Sequence, residues 1–330
     1  MHTQGMIKRA AGLAALACVM AGAPAAAQYP DRPIKYILSS APGSGPDNMV
    51  RALVSRLSAH LGGVSIVVEN RPGAGGLIAM NALANASPDG YTIGHGNIQT
   101  MAISPGLAQA SLAAIQGIDY IGLIGTAPNF LLVGPSISAD VRSVQDLVAH
   151  AKKHAGKLSY ASGGNGTSHH LGMELFKQIS QIDLLHVPYK STSVGVADLA
   201  GKRVDLMMDG PEGPSASLAT PESGIRRLAV TSARRLADFP DVPTMAEAGV
   251  TDYEVVAWSG LIAPKGMAAD KVERINTALR AVLKEPDFVR FLRSSGYEPR
   301  AGSPADFRKL AEDERAKWGG VIRAIGMATN

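Results

Sequence analysis

The sequence is poor in cysteine, aromatic residues and charge. It has one cysteine, 5% Phe, Trp and Tyr, and 18% charged residues. A single cysteine excludes a disulfide framework and a Cys-ligated zinc site. The 32 basic and 28 acidic residues leave a net charge of +4. So small an excess favours neither nucleic acid nor an anionic membrane as partner. Nucleotide signatures are also missing. Gly43-Ser44-Gly45-Pro46 lacks the third glycine of a dinucleotide fingerprint, and no glycine loop ends in Gly-Lys-Ser/Thr. There is no Gly-x-Ser-x-Gly nucleophile elbow.

What is present starts with an export signal. Lys8 and Arg9 precede an apolar run from Ala10 to Ala23, and Ala25-Ala26-Ala27 follows. A basic segment, a short apolar segment and a small-x-small site form a secretory signal. The apolar run falls short of the about 20 residues that cross a bilayer. Leu16-Ala17-Cys18 has the outline of a lipoprotein site, but Ala15 stands where a larger apolar residue is usual. The expectation is therefore cleavage after Ala27, a mature start at Gln28, and a mature chain without cysteine.

The remaining length, 46% hydrophobic overall, suits two domains of ordinary size. It reads as repeated strand–loop–helix units. Strands are expected over 34–39, 65–69, 91–94, 120–125, 158–161, 184–187, 204–208, 227–231 and 255–262. Val50, Leu53, Val54, Leu57 and Leu61 mark a helix that starts near Pro46. Helices are also expected over 77–86, 168–179 and 193–200. Ser143 with Asp146 caps another helix, and Ser303-Pro304-Ala305-Asp306 caps the last. Alternation of this kind implies parallel sheets covered by helices on both faces. The helical C-terminal run has too few strands to stand alone and is expected to pack back on the N-terminal half.

Two glycine-rich loops, Ser39 to Asp47 and Ser162 to Ser168, each join a strand to a helix. Unpaired N–H groups at a helix N-terminus make an anion site for a carboxylate or phosphate. Ordinary tight turns would look the same singly, but two such loops on opposite halves of an α/β chain point to a shared cleft. His169 and His170 are adjacent, so on a helix they point about 100° apart and cannot share one metal well. His186 reads as a hydrogen-bonded core histidine. Asp47 is read as a helix cap or a ligand contact, and Asp209 as an exposed loop acid or a ligand contact.

Read together, the segments resemble the Bug family, the solute receptors of tripartite tricarboxylate transporters. The matching stretches include Tyr29-Pro-Asp-Arg-Pro-Ile34, Val68-Glu-Asn-Arg-Pro-Gly-Ala-Gly-Gly76, Pro88-Asp-Gly-Tyr-Thr92, His186-Val-Pro-Tyr-Lys190 and Pro240-Asp-Val-Pro-Thr-Met-Ala-Glu-Ala-Gly249. The likeness implies an α/β fold of two lobes, a Venus flytrap of type II topology. Lobe 1 would be 28–127 plus 253–330, and lobe 2 would be 128–252, with crossovers near 129–133 and 254–258.

The resemblance also implies a periplasmic receptor, read as a monomer, that hands a small carboxylate to membrane permease subunits. It implies no cofactor, no metal and no catalytic residue. Carboxylate is held in this family largely by backbone amides, hydroxyls and ordered water. By position, lobe 1 would contribute Ser40, Ala41, Ser44, Gly45 and Asp47, with Asn97 and Thr100. Lobe 2 would contribute Ser162, Gly164, Gly166, Thr167, Ser168, His169, Tyr189, Lys190, Ser191 and Asp209. The chain departs from the usual family loop at Ser40, where an aromatic is common, and at Pro46, where a threonine is. Two rival readings share the sequence: a ligand sensor docking on a membrane kinase, and a hydrolase or lyase using loop serines with His169.

Overall fold

Residues 29–211 and 213–328 are described by the computed structural model. The expected signal segment, its cleavage site and Cys18 lie outside them. In chain order the first elements are β1 (Ile34–Leu38), α1 (Gly45–His60), β2 (Ile66–Asn70), α2 (Leu77–Ala84) and β3 (Thr92–Asn97). A π-helical turn over 99–103 leads into α3 (Ser104–Leu107), α4 (Gln109–Ile115), β4 (Ile118–Pro128) and β5 (Phe130–Val133). Next come α5 (Val144–Lys153), β6 (Ser159–Ser162), α6 (Ser168–Ser180), β7 (Leu185–Pro188), α7 (Thr192–Ala200) and β8 (Leu206–Asp209). The chain closes with β9 (Arg226–Val230), β10 (Val256–Pro264), α8 (Ala269–Val282), α9 (Pro286–Ser294), β11 (Glu298–Pro299) and α10 (Pro304–Ala324).

The helices form where the pattern and caps require. α1 buries Val50, Leu53, Val54 and Leu57 along one stripe. At α5 the Ser143 hydroxyl accepts from Asp146 N at 3.0 Å while Asp146 accepts from Ser143 N at 3.0 Å. Ser303 and Asp306 repeat this reciprocal cap at α10. Such a box satisfies two otherwise orphaned donors. α10 then buries Phe307, Trp318 and Ile322. α8 packs on α1, and α10 packs on β4 and on the 99–103 turn.

The strands sort into two sheets, ordered β11-β4-β10-β3-β1-β2 and β7-β6-β8-β5-β9. The parallel sheets expected from alternation are in fact mixed. β1 pairs parallel with β2 and β3, and β6 with β7 and β8. β10 runs antiparallel to both β3 and β4, and β5 antiparallel to β8 and β9. The reason is the chain path. β4 runs on through Asn129 into β5 of the other sheet, and β10 enters the first sheet between β4 and β3.

β5 was not expected, because Phe130-Leu-Leu-Val133 is an unbroken apolar run with no alternation to mark it. All four of its residues are buried. The helical stretch over 99–115, and α9 and β11, were likewise unmarked.

Asn129 sits where three passages of chain meet. Its N–H donates to Thr231 Oγ1 and its carbonyl accepts from Thr231 N, both at 2.8 Å. Thr231's own carbonyl accepts from Val255 N at 2.9 Å.

Candidate functional site

A cleft of about 640 Å³ opens beside this meeting point. Ala127, Pro128, Asn129 and Ala257 form its back. The starts of three helices face into it: Gly45, Pro46 and Asn48 of α1, Ser168 and His169 of α6, and Thr192 of α7. Asp209, Gly210, Gly213 and Pro214 close one side, and Phe291 with the 294–297 stretch closes another. None of the lining residues is Lys or Arg. Helix N-termini carry partial positive charge, so their convergence suits an anion without a cationic side chain.

The first loop is fixed by Asp47. Its side chain is 2% exposed and accepts from Gly43 N (2.8 Å), Arg51 Nε (2.9 Å) and Asn70 Nδ2 (2.8 Å). The Arg51 hydrogen bond is the chief cause that holds its carboxyl down at about 2, against burial, with Asn70 and Gly43 assisting. Gly43 turns the loop with φ +77°, a region open to glycine at little cost. The Ser44 hydroxyl donates to the Ala41 carbonyl at 2.7 Å, and the Ser40 carbonyl accepts from Asn70 at 2.9 Å. Pro46 brings no N–H, and the Asn48 N–H already serves the Ser44 carbonyl at 2.9 Å.

The second loop is braced by rings. Tyr160, His186 and His170 stack, with centroids 4.8 Å apart for the first pair and 3.9 Å for the second. His186 Nε2 lies 2.6 Å from the Ser162 hydroxyl, which also accepts from Gly164 N at 3.1 Å. Gly166 N donates to His170 Nδ1 at 3.1 Å. That bond requires an unprotonated Nδ1, and burial indeed lowers the His170 pKa. Burial, reinforced by His170, brings His186 down to about 4. Thr167 caps α6 and donates to the Gly164 carbonyl at 2.8 Å.

Of the residues nominated from sequence, Gly45, Ser168, His169 and Asp209 line the cleft together. His169 is half-buried, and burial lowers its pKa while the Asp209 charge opposes the shift. Most of the others bond within the loops and turns. Ser40, Ala41, Ser44 and Asp47 build the first loop, and Ser162, Gly164, Gly166 and Thr167 build the second. Asn97 and Thr100 pair with one another, Asn97 Oδ1 accepting from Thr100 N at 2.9 Å. The Tyr189 hydroxyl donates to Asp198 at 2.7 Å, and burial with that carboxylate pushes it up to about 12. Lys190 and Ser191 are exposed at the surface. The adjacent His169 and His170 serve different neighbours, one the cleft and one the Gly166 amide.

Sequence reasoning missed Asn48, Asn129, Thr192 and the end of α9. Asn129 carried a signal, since a polar residue between two buried strand runs has to face something other than core. Nothing local marked the α9 end, which reaches the cleft only through tertiary packing.

Comparison with known proteins agrees with this architecture. Residues 49–327 match the family model of the tripartite tricarboxylate transporter family receptor. BugT of Bordetella pertussis is 32% identical over 307 residues, covering 90% of each chain. Among solved structures, an R. palustris protein with adipate is 34% identical, with a TM-score of 0.75 over 91% of this chain and 99% of that one. The periplasmic binding protein BugD is 30% identical, with a TM-score of 0.72 over 92% of this chain and 100% of its own. The chain belongs to the family of tripartite tricarboxylate transporter receptors, the Bug proteins among them.

Proposed function

We propose that this chain is an exported periplasmic receptor that takes one small carboxylate into the cleft and delivers it to tripartite-type permease subunits, without catalysis. The observation that carries the reading is the convergence of the α1, α6 and α7 starts on one cleft with no Lys or Arg in its lining. Backbone N–H groups at helix starts bind anions. Adipate in the R. palustris relative is a solute of the matching class.

Two lobes, 28–127 plus 253–330 and 128–252, would close on the solute. The strand partition supports this, since β1 to β4, β10 and β11 share one sheet and β5 to β9 the other. The basic start and Ala25-Ala26-Ala27 support export.

The test is a thermal-shift panel of carboxylates on the mature protein, followed by calorimetry of any hit. A solute at 100 times its dissociation constant adds about 2.7 kcal/mol to the native state. A panel with no shift for any mono-, di- or tricarboxylate sinks the reading. Delivery is tested by uptake of the hit in cells with and without tripartite-type permease subunits.

A further inference from the structure

Asp209 ends β8 with its side chain 2% exposed, and it lines the cleft. One oxygen, Oδ2, accepts from Ser215 N at 2.7 Å. Among the described residues the carboxylate makes no ion pair and no Lys or Arg shares the cleft lining; its titratable neighbour there, His169, feels the Asp209 charge, but burial lowers its pKa and disfavours the cation. Gly213 leaves room for it, for a Cβ there would fall on the carboxylate itself. Strand pairing sets Phe130 opposite Asp209, which brings Asn129 beside Gly210. Asn129 is 5% exposed, also lines the cleft, and its side-chain amide makes no hydrogen bond among the described residues.

A buried carboxylate lacking a cation is costly unless something pairs with it. It also repels a second negative charge placed nearby. We propose that Asp209, with Asn129 beside it, reads a positively charged or hydrogen-bond-donating group on the solute, so that the preferred solute is an amino-carboxylate. This deepens the receptor reading and rests on it. The solute carboxylate lies at the helix starts, and its ammonium pairs with Asp209 Oδ1 and donates to Asn129 Oδ1. A dicarboxylate in the same pose would set its second carboxylate against Asp209.

The experiment is calorimetric titration of the mature protein with matched series of three to seven carbons. The series are unsubstituted acids, α,ω-diacids, α-amino acids and ω-amino acids. The best amino acid should bind about tenfold to a hundredfold tighter than the best diacid, the factor of one charge-assisted hydrogen bond. Asp209→Asn keeps an acceptor for Ser215 N, and circular dichroism checks its fold. It should remove that preference without weakening the unsubstituted acids, which then meet one negative charge fewer in the cleft. A diacid that binds the unmutated protein as tightly as the best amino acid overturns the proposal whether or not the variant folds. So does a preference that survives Asp209→Asn. Absence of binding across every series overturns the carboxylate-receptor reading itself.

Discussion

Gly45 and Gly164 look alike in sequence, yet they should fail in different ways when replaced. Gly45 starts α1 without a positive φ, and a Cβ there would meet nothing within 4 Å. Beyond its two chain neighbours the space is open, and it is the cleft. Gly164 has φ +121°, and its Cβ would lie 3.4 Å from the Tyr189 carbonyl. An L-residue held in so sparsely populated a region costs about 1–3 kcal/mol. Gly164→Ala should thus lower the melting temperature by a few degrees, at about 2–4 °C per kcal/mol for a chain of this size class. Gly45 is helical and precedes Pro46, whose ring disfavours a β-branched residue in that conformation, so Gly45→Val should also cost about 1 kcal/mol of stability. Its isopropyl group would block an anion from the α1 start and remove charge-assisted hydrogen bonds of about 1.5–3 kcal/mol each. That raises the dissociation constant by about tenfold to over a hundredfold. Scanning calorimetry and titration of both variants separate the two effects. Normal affinity in Gly45→Val would refute anion capture at α1, and an unchanged melting point in Gly164→Ala would refute the backbone argument.

Asp47→Asn should cost about 1–2 kcal/mol at pH 7, after allowance for the half-exposed Arg51. The Asp47 contribution is complete above the ordinary carboxyl value of 3.8 and is lost as pH falls through about 2. Urea unfolding of protein and variant should therefore converge toward pH 2, and a constant gap would contradict the assignment. His186 works in a higher window. With its pKa depressed from 6.5 to about 4, the unfolded chain takes up the proton first, so native stability declines as pH drops from 6.5 to 4. His186→Gln should remove about 1–2 kcal/mol of that decline, measured as the difference between urea midpoints at pH 7 and pH 4.5. Small-angle scattering should show a smaller radius of gyration with saturating solute, and an identical profile would argue against lobe closure.

Much of the fold was legible because its signals are local. The α1 stripe, the Ser143 and Ser303 caps and most strand runs each lie within one short window of sequence. Sheet direction was not local. Alternation promised parallel strands, but the straight run from β4 into β5 and the entry of β10 between β4 and β3 depend on where the chain crosses between sheets. The candidate site shows the same divide. The two glycine loops were visible as loops, whereas the hydrogen bonds inside them required coordinates. Ser44, Ser162 and Thr167 have the right chemistry for a ligand, yet each bonds within its own loop. Asn48 and Thr192 are unremarkable in sequence and reach the cleft through packing.

The three-way stitch of Asn129, Thr231 and Val255 has a mechanical consequence. Hydrogen bonds tie the outgoing strand to the returning chain at one level, so the two cannot slide past each other without breaking them. In the proposed closure of one sheet toward the other, these bonds would lie near the axis of the motion. Asn129 also lines the cleft. A solute touching it would press close to that axis, where a small displacement is magnified at the rims of both sheets.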